Sequence, residues 1–318
     1  MTTPRALACA AVAGFSLLAV PTAAGADGPP IGFLSPDGVA SGQVRYVALP
    51  AGRGTLLEKL SLTTAKPLRT HYLGGRVGVP VIASDGTAGG LSHDGGTLVL
   101  GAERTTYPQV KSTLYVMNTG NLSLRRRIHL NGDFSFDAIS PDGATIYLIQ
   151  LDPRDFTHYA VRAFDTASWR LDPKPVVDRR EPDEAMRGYP MTRVTSPDGR
   201  FAYTLYIGGE KPFVHALDTM RRSSACIDLP PLPNTSQFAL RLKGRQLTVM
   251  VDGAPVALVD TATRHVAKPG PAHPAAQPSP GDDGGPNVAT WVIVAGAAAA
   301  LAAAAAARAR RRRARAAG

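Results

Sequence analysis

The sequence predicts an all-β repeat fold, preceded by an export signal and followed by one membrane-spanning helix near the C-terminus. Three observations lead to this prediction. A turn phrase of the type Ser-Pro-Asp-Gly recurs along the chain. A second phrase, which ends in threonine, follows it at regular distances, and helix signals are nearly absent outside the two ends.

The first phrase is a turn signal, and its last three copies are followed by an apolar or alternating run that is typical of a strand. Proline presets φ for a turn, aspartate bonds nearby backbone amides, and glycine adopts the positive φ that other residues resist. The predicted turn residues are Asp37, Gly38, Asp94, Gly95, Asp142, Gly143, Asp198 and Gly199. Each turn should join the first two strands of a hairpin.

The second phrase should form the turn between a third strand and an outer fourth strand. It occurs at Thr63-Thr64, Asn118-Thr119, Asp165-Thr166, Asp218-Thr219 and Asp260-Thr261, with intervals of 55, 47, 53 and 42 residues. Four short antiparallel strands at this repeat length predict the blades of a β-propeller. Five blades, or six with one degenerate, fit the pattern, because the strand after Gly38 is irregular and Leu242-Lys243-Gly244 replaces the turn phrase in the last unit. A two-sheet sandwich is the alternative.

Together the two phrases resemble those of bacterial extracytoplasmic β-propellers of the TolB-like and YVTN kind. The resemblance covers residues 35 to about 266. It implies the propeller fold and is nearly silent on activity, since some proteins of this shape bind partners and others are enzymes.

Both ends of the chain predict export and anchoring. Residues 1–26 combine a basic residue, an apolar stretch and a small-residue cleavage site, as a secretory signal does. Residues 288–307 are uncharged, and about 20 helical residues span the roughly 30 Å of a bilayer core. Six arginines in the tail 308–318 should keep that end in the cytoplasm. A retained N-terminal anchor and a soluble alanine-rich helix are the alternatives.

The predicted organisation is a signal peptide (1–26), a propeller ectodomain (27–267), a Pro/Gly-rich stalk (268–287), a transmembrane helix (288–307) and a basic tail (308–318). The protein would therefore cross the cell membrane once, with its N-terminal domain outside and its C-terminus in the cytoplasm. Once Cys9 leaves with the signal, Cys226 is the remaining cysteine, so no disulfide is expected. Cys226 lies in an apolar strand pattern, which favours burial.

The formal net charge of +10 is mostly a property of the ends. Without Arg5 and the tail arginines, 28 basic residues face 25 acidic ones, and this excess of three gives no reason to expect nucleic acid as a partner. The run Arg125–Arg127 could bind an anionic surface. The favoured interpretation is the solvated face of an outer strand.

The sequence contains no motif of enzymatic or metal chemistry. A nucleophile elbow, a P-loop, a His-Glu-x-x-His helix and a paired-cysteine metal site are all missing from it. No catalytic residue, metal or cofactor is therefore expected.

Candidate ligand-binding residues follow from their position in the repeat. The residue three before each turn serine should lie on the strand that lines a propeller's channel, and Asp137 and Arg193 occupy that position. Opposite charges there could bind a zwitterion or a peptide end, or could only pair with each other. Arg104 and Tyr107, in the loop 104–111, are further candidates, and the loop 152–158 is a similar surface.

The sequence thus favours a binding or scaffold module for a protein, a peptide or a cell-envelope ligand. The alternative is a propeller-type hydrolase or lactonase-like enzyme, which would need a cluster of inward His, Asp and Glu residues at strand starts. Whether the protein is an enzyme stays open, with a non-enzymatic role favoured.

Overall fold

The structure is a computed structural model that describes residues 32–155, 158–182, 186–209, 211–233 and 237–270. The predicted signal peptide, transmembrane helix and basic tail, and the stalk beyond Gly270, lie outside the described residues. Within the described ranges, no helix is long and apolar enough to cross a membrane.

The described residues form an all-β structure. Its strands, in chain order, are β1 Leu34–Ser35, β2 Val39–Ser41, β3 Val44–Ala51, β4 Gly54–Ser61, β5 Pro67–Gly74, β6 Val77–Pro80, β7 Thr97–Ala102, β8 Lys111–Asn118, β9 Leu124–Asn131, β10 Phe134–Ile139, β11 Thr145–Leu151, β12 His158–Asp165, β13 Arg170–Val176, β14 Met186–Arg187, β15 Tyr189–Thr195, β16 Phe201–Ile207, β17 Phe213–Asp218, β18 Ser223–Asp228, β19 Phe238–Lys243, β20 Gln246–Val251, β21 Ala254–Asp260 and β22 Val266–Ala267.

These strands pair into five antiparallel sheets. Sheet 1 has the order β2-β3-β4-β5, and sheet 2 has the order β1-β6-β7-β8-β9. Sheet 3 runs β10-β11-β12-β13, with β14 paired to β12, sheet 4 runs β15-β16-β17-β18, and sheet 5 runs β19-β20-β21-β22. Five sheets of mostly four strands, each built from one repeat unit except for β1 in sheet 2, are consistent with the predicted propeller.

Units three to five follow the predicted strand plan. In sheet 3, the turn 140–143 joins β10 to β11, and Asp165-Thr166 lies between β12 and β13. Sheet 4 repeats this arrangement with the turn 196–199. In sheet 5, Gly244 has a positive φ of 56° in the turn between β19 and β20, where the sequence lacks the usual phrase.

The first unit differs from the prediction. Gly38 has the expected positive φ of 72°, but the phrase 35–38 does not close a hairpin. It links β1, which pairs with β6 in sheet 2, to β2 in sheet 1. The hairpin turn of the first unit lies at Gly42, between β2 and β3. The prediction that Asp37 and Gly38 form a blade hairpin was therefore wrong, because β1 finds a partner more than forty residues away.

The two recurrent phrases bind each other, which explains why they recur together. In sheet 3, Ser140 Oγ donates to Asp142 Oδ1 at 2.6 Å and accepts from Thr145 N at 2.9 Å. The hydroxyl of Thr166, in the second phrase, donates to the carbonyl oxygens of Gly143 and Ala144 at 3.1 and 3.0 Å. One side chain thereby satisfies the backbone of the neighbouring turn.

Apolar residues alternate between the two faces of the central strands, so sheets 2, 3 and 4 each pack on two neighbours and sheets 1 and 5 each pack on one. In β11, Ile146 and Leu148 belong to the core shared with sheet 2, whereas Tyr147 and Ile149 belong to the core shared with sheet 4. Similar cores join sheet 1 to sheet 2 and sheet 4 to sheet 5. Within the described part of the chain, no core cluster joins sheet 5 to sheet 1.

Candidate functional site

A cavity of about 460 Å³ lies where the first strands of three sheets meet one loop of sheet 2. Its walls come from β2, β10 and β15 and from the segment 81–93. The lining residues are Val39, Ala40, Ser41, Ile82, Thr87, Ala88, Gly89, Gly90, Leu91, Ser92, His93, Phe136, Ala138, Ile139, Arg193, Val194, Thr195, Gly199, Ala202 and Thr219. Apolar side chains and hydroxyl groups alternate in this wall, and the exposed side chains of Ser41, His93 and Thr195 mark its mouth.

The segment 81–93 crosses to the opposite wall and is held there by its backbone. The amides of Ser84 and Asp85 donate to the carbonyl oxygens of Pro190 and Met191 at 2.9 and 3.1 Å. Glycine is required at position 90, where φ is +98° and a Cβ atom would lie 2.4 Å from the Val99 carbonyl oxygen. The glycine-rich sequence therefore serves close packing of the backbone.

Asp137 and Arg193 come together as a buried ion pair between sheets 3 and 4. Arg193 Nη2 pairs with Asp137 Oδ1, and Nη1 donates to the backbone carbonyl of Asp137. The two side chains are only 2% and 3% exposed. Asp137 Oδ2 is also buried and has no hydrogen-bond partner among the described residues. Asp137 lies on β10 and Arg193 on β15, the first strands of their sheets, and Arg193 lines the cavity.

Arg193 begins a polar row that crosses sheet 4 on its side toward sheet 3. Strand register places Arg193 opposite Thr204, Thr204 opposite His215, and His215 opposite Cys226. Arg193 Nε donates to Thr204 Oγ1 at 2.7 Å. At the far end, the Cys226 amide donates to Asp178 Oδ2 at 3.0 Å. Cys226 is half-buried on the outer strand of its sheet, which is less burial than its apolar sequence context favours.

His215 is the titratable member of this row. It is 1% exposed, and burial lowers its pKa to about 4, with a smaller opposing effect from the Asp137 carboxylate. Its Nε2 atom has no hydrogen-bond partner in the described part of the chain. The imidazole is therefore neutral near pH 7. Sequence reasoning missed both Thr204 and His215, because their side chains meet Arg193 only through strand register.

Arg104 and Tyr107 lie apart from the cavity that Arg193 lines. Arg104 forms an ion pair with Asp133 and donates to Ser135 Oγ at 2.9 Å. The Tyr107 ring lies 5.4 Å from the Arg104 guanidinium carbon and is 57% exposed. Partial burial raises the pKa of Tyr107 despite that nearby cation. The structure thus brings these two candidates together with each other, but not with Asp137 and Arg193.

The other predicted contact loop, 152–158, is described only in part, since Phe156 lies outside the described residues. His158 and Asp155 form an ion pair, with Nδ1 and Oδ2 2.6 Å apart. Of the described residues that line the cavity, His93 and Arg193 are the ionisable ones. Among the described residues, no group of three or more His, Cys, Asp or Glu side chains could hold a metal ion.

No protein-family model matches the chain, and no curated protein matches it. Solved structures are similar at low identity. TolB from Acinetobacter baumannii is 15% identical with a TM-score of 0.37, over 62% of this chain and 43% of TolB. The uncharacterized protein lmo1340 from Listeria monocytogenes is 12% identical with a TM-score of 0.35, over 74% of this chain and 94% of that protein.

TolB-like proteins are thus among the structural neighbours, which confirms the resemblance predicted from the turn phrases. A prolyl endopeptidase is another neighbour, at 12% identity and a TM-score of 0.43, over 70% of this chain and 34% of the enzyme. The chain spans less than half the length of TolB. TM-scores below 0.5 carry no conclusion about activity or partners.

Proposed function

We propose that the protein is a binding module, which holds a peptide segment or a small polar envelope molecule in the cavity between its first strands. The cavity is the observation that supports this proposal. Its volume falls in the range of ligand pockets, roughly 300–1,000 Å³. It also combines apolar walls with hydroxyl groups and one guanidinium, Arg193, whose position is fixed by Asp137 and Thr204.

The proposal includes export and membrane anchoring of the domain. Its support is the sequence: an N-terminal segment with the features of a secretory signal, and the uncharged stretch 288–307 followed by arginines. A domain held outside the membrane by a stalk of about 20 residues would present its cavity to envelope components.

Blocking the cavity mouth tests the binding role. Thr195 lies at the end of β15, lines the cavity and is exposed, so Thr195→Trp should fill the mouth without disturbing a core. We expect this variant to lose the ligand or partner that is crosslinked to the full chain in intact cells and copurified from membranes. Thr70→Trp is the matched control, because Thr70 is an exposed strand threonine of β5 that does not line the cavity.

The comparison requires both variants to unfold at the temperature of the unmodified protein within a few degrees. Loss of the crosslinked species in Thr195→Trp with retention in Thr70→Trp supports the cavity as the binding site. Equal retention in both variants would contradict the proposal.

A further inference from the structure

The excess positive charge of the folded domain is concentrated in its first two sheets. Residues 39–132 contain 11 lysines and arginines against four acidic residues, whereas residues 133–270 contain 17 of each. The small net charge of the whole domain hides this difference. The segment 39–132 therefore has a net charge of +7, of which the ion pair of Arg104 with Asp133 neutralises one, and the question is where the other cations lie.

Two of these cations face sheet 2 from β4 and β5, the last two strands of sheet 1. Lys59 of β4 lies directly opposite Arg69 of β5. Leu57, two residues before Lys59, belongs to the core shared with sheet 2, so Lys59 and Arg69 point to the same side. The Lys59 ammonium lies 5.6 Å from the Tyr46 ring centre and donates to the Thr119 carbonyl oxygen of sheet 2 at 3.4 Å.

A third cation faces them from the outer strand of sheet 2. Arg127 of β9 lies opposite Tyr115, and its guanidinium carbon is 5.1 Å from the centre of that ring. Tyr115 belongs to the core shared with sheet 1, and its hydroxyl donates to the Gly74 carbonyl oxygen at 3.4 Å. His71 and His129 lie two residues further along these strands, on the same two faces. We call the part of the border between sheets 1 and 2 that carries Lys59, Arg69 and Arg127 the basic cleft.

No carboxylate of the described residues pairs with the cations of the basic cleft. In the described part of the chain, no carboxylate lies within 4 Å of Lys59, Arg69 or Arg127, whereas Arg200 and Arg222 are each paired with an aspartate. Like charges that face each other across two strands destabilise a sheet, and Lys59 and Arg69 are such a pair. An anion from outside the chain would relieve this repulsion.

We propose that the basic cleft binds a linear polymer of phosphate groups. Guanidinium groups bind phosphate oxygens through two parallel hydrogen bonds, and Lys59 adds a point charge. Lys59 contacts Thr119, whereas Arg127 lies beside Tyr115, and four residues of a strand span roughly 13 Å. A chain of linked phosphates carries one anionic group after another, so it can pair with several of these cations at once. Cations on two facing surfaces also fit a chain between them better than the plane of a bilayer.

Fluorescently labelled inorganic polyphosphate, titrated against the full chain in mild detergent, tests this proposal. The triple variant Lys59→Gln, Arg69→Gln, Arg127→Gln should bind at least tenfold more weakly at low salt. Each phosphate contact contributes roughly 0.7 to the slope of log affinity against log salt for single-stranded polyanions, so the slope should fall by about 2. The control triple Arg170→Gln, Lys174→Gln, Arg241→Gln removes the same charge from exposed, unpaired positions of sheets 3 and 5 and should change binding less than twofold.

Equal losses in the two triples would overturn the proposal, because they would show a response to net charge alone. Binding to vesicles that contain phosphatidylglycerol, with the same dependence on the three cations and no binding of polyphosphate, would assign the cleft to a membrane surface and overturn it too. Tighter binding of single-stranded RNA than of polyphosphate would also overturn the proposal. If the triple variant unfolds, the single Arg127→Gln variant, which alters one exposed side chain, should still weaken binding about threefold, and an unchanged affinity there contradicts the proposal.

Discussion

Arg193 has a fixed guanidinium at the border between the cavity and the interface of sheets 3 and 4. Its three nitrogen atoms all donate, to the side chain and backbone of Asp137 and to Thr204. Because these hydrogen bonds fix the guanidinium of Arg193, a ligand in the cavity must bring its own acceptor group to the guanidinium. The same pairing means that the residue serves the fold as well as the cavity, and mutagenesis must separate the two roles.

Removing one partner of the ion pair should lower the free energy of unfolding, whereas replacing both partners by apolar residues should not. Arg193→Ala or Asp137→Ala should destabilise the protein by about 3–5 kcal/mol, because each leaves a buried charge without its partner. The double variant Asp137→Leu, Arg193→Met removes both charges and should be close to neutral or more stable. Urea unfolding measures these differences, and the unmodified protein, Asp137→Leu, Arg193→Met and their double variant form a double-mutant cycle.

The control for that cycle is Arg245→Ala, since the Arg245–Asp260 pair is 65% and 39% exposed. An exposed pair contributes less than about 1 kcal/mol. A cost for Arg193→Ala no greater than that of Arg245→Ala would show that the buried pair is not what stabilises this interface.

His215 should make stability depend on pH between about 4 and 6.5. Its pKa is about 4 in the folded protein, against an ordinary value near 6.5, so the unfolded chain binds the proton more tightly. Stability is therefore full above pH 6.5 and falls as the pH drops toward 4. At pH 5 the loss should be about 2 kcal/mol relative to pH 7. Carboxylates such as Asp178, whose pKa is about 2, add their losses only at lower pH.

Urea unfolding at pH 7 and pH 5 measures this loss. His215→Leu should abolish the difference, whereas His265→Leu, at an exposed position, should retain it. The nearby charges of Asp137 and Arg193 act on His215 in opposite directions and do not reverse the sign. A pH dependence that survives in His215→Leu would assign it to another group.

At the scale of elements, the hairpin turns are set by residues close in sequence. Asp142 and Asp198 bond the amides two residues on, and hydrogen bonds from Ser140 and Ser196 hold the pKa of each carboxyl below its usual value. These turns, the strands beside them and the repeat length could therefore be predicted from the sequence alone. Asp137 and Arg193 were placed on first strands by the same local rule.

Long-range pairing could not be predicted. Strand β1 leaves the first unit to pair with β6, and nothing near residues 34–35 indicates that partner. Thr204 and His215 join Arg193 because three strands share one register, which a repeat phrase does not encode. Local turn chemistry thus predicts where strands begin, whereas packing decides which side chains meet.

Two turn glycines with the same φ offer a test of the turn geometry. Gly95 and Gly143 have φ of 72° and 71°, but a Cβ atom at Gly95 meets nothing within 4 Å, whereas at Gly143 it would lie 2.5 Å from Thr97 Oγ1. Gly95→Ala should lower the free energy of unfolding by about 1 kcal/mol, because of the backbone conformation alone. Gly143→Ala should lower it by about twice that or more, because its Cβ atom also meets Thr97. Thermal unfolding compares them. Equal costs would show that Thr97 does not crowd the turn.

At the scale of the whole molecule, successive sheets bury each other while their outer strands differ in charge. The four shared cores stabilise the domain, and each fully buried leucine among them contributes about 1.5–3 kcal/mol. The cavity lies at the first strands of sheets 1, 3 and 4, whereas the basic cleft lies on β4, β5 and β9. A binding module built in this way would offer two surfaces with different chemistry.

Topology can be tested on the intact chain. A reporter that is active only outside the cytoplasm should give signal when fused before Lys268 and none when fused after Arg315, because the arginine tail resists translocation. Protease added to intact cells should release a soluble fragment by cutting within 268–287, the segment that the sequence predicts to be a Pro/Gly-rich stalk. A full-length protein found only in the cytosol would contradict the proposed export.

Site-specific photo-crosslinking in intact cells tests the central claim most directly. A photoreactive phenylalanine derivative at position 195 faces the cavity, and the same group at position 70 lies on β5, outside it. We predict a discrete adduct from position 195 that is missing at position 70 and is lost when Ser41→Trp narrows the opposite side of the mouth. Equal adducts from both positions, or an adduct at 195 that survives Ser41→Trp, would contradict a ligand held in the cavity.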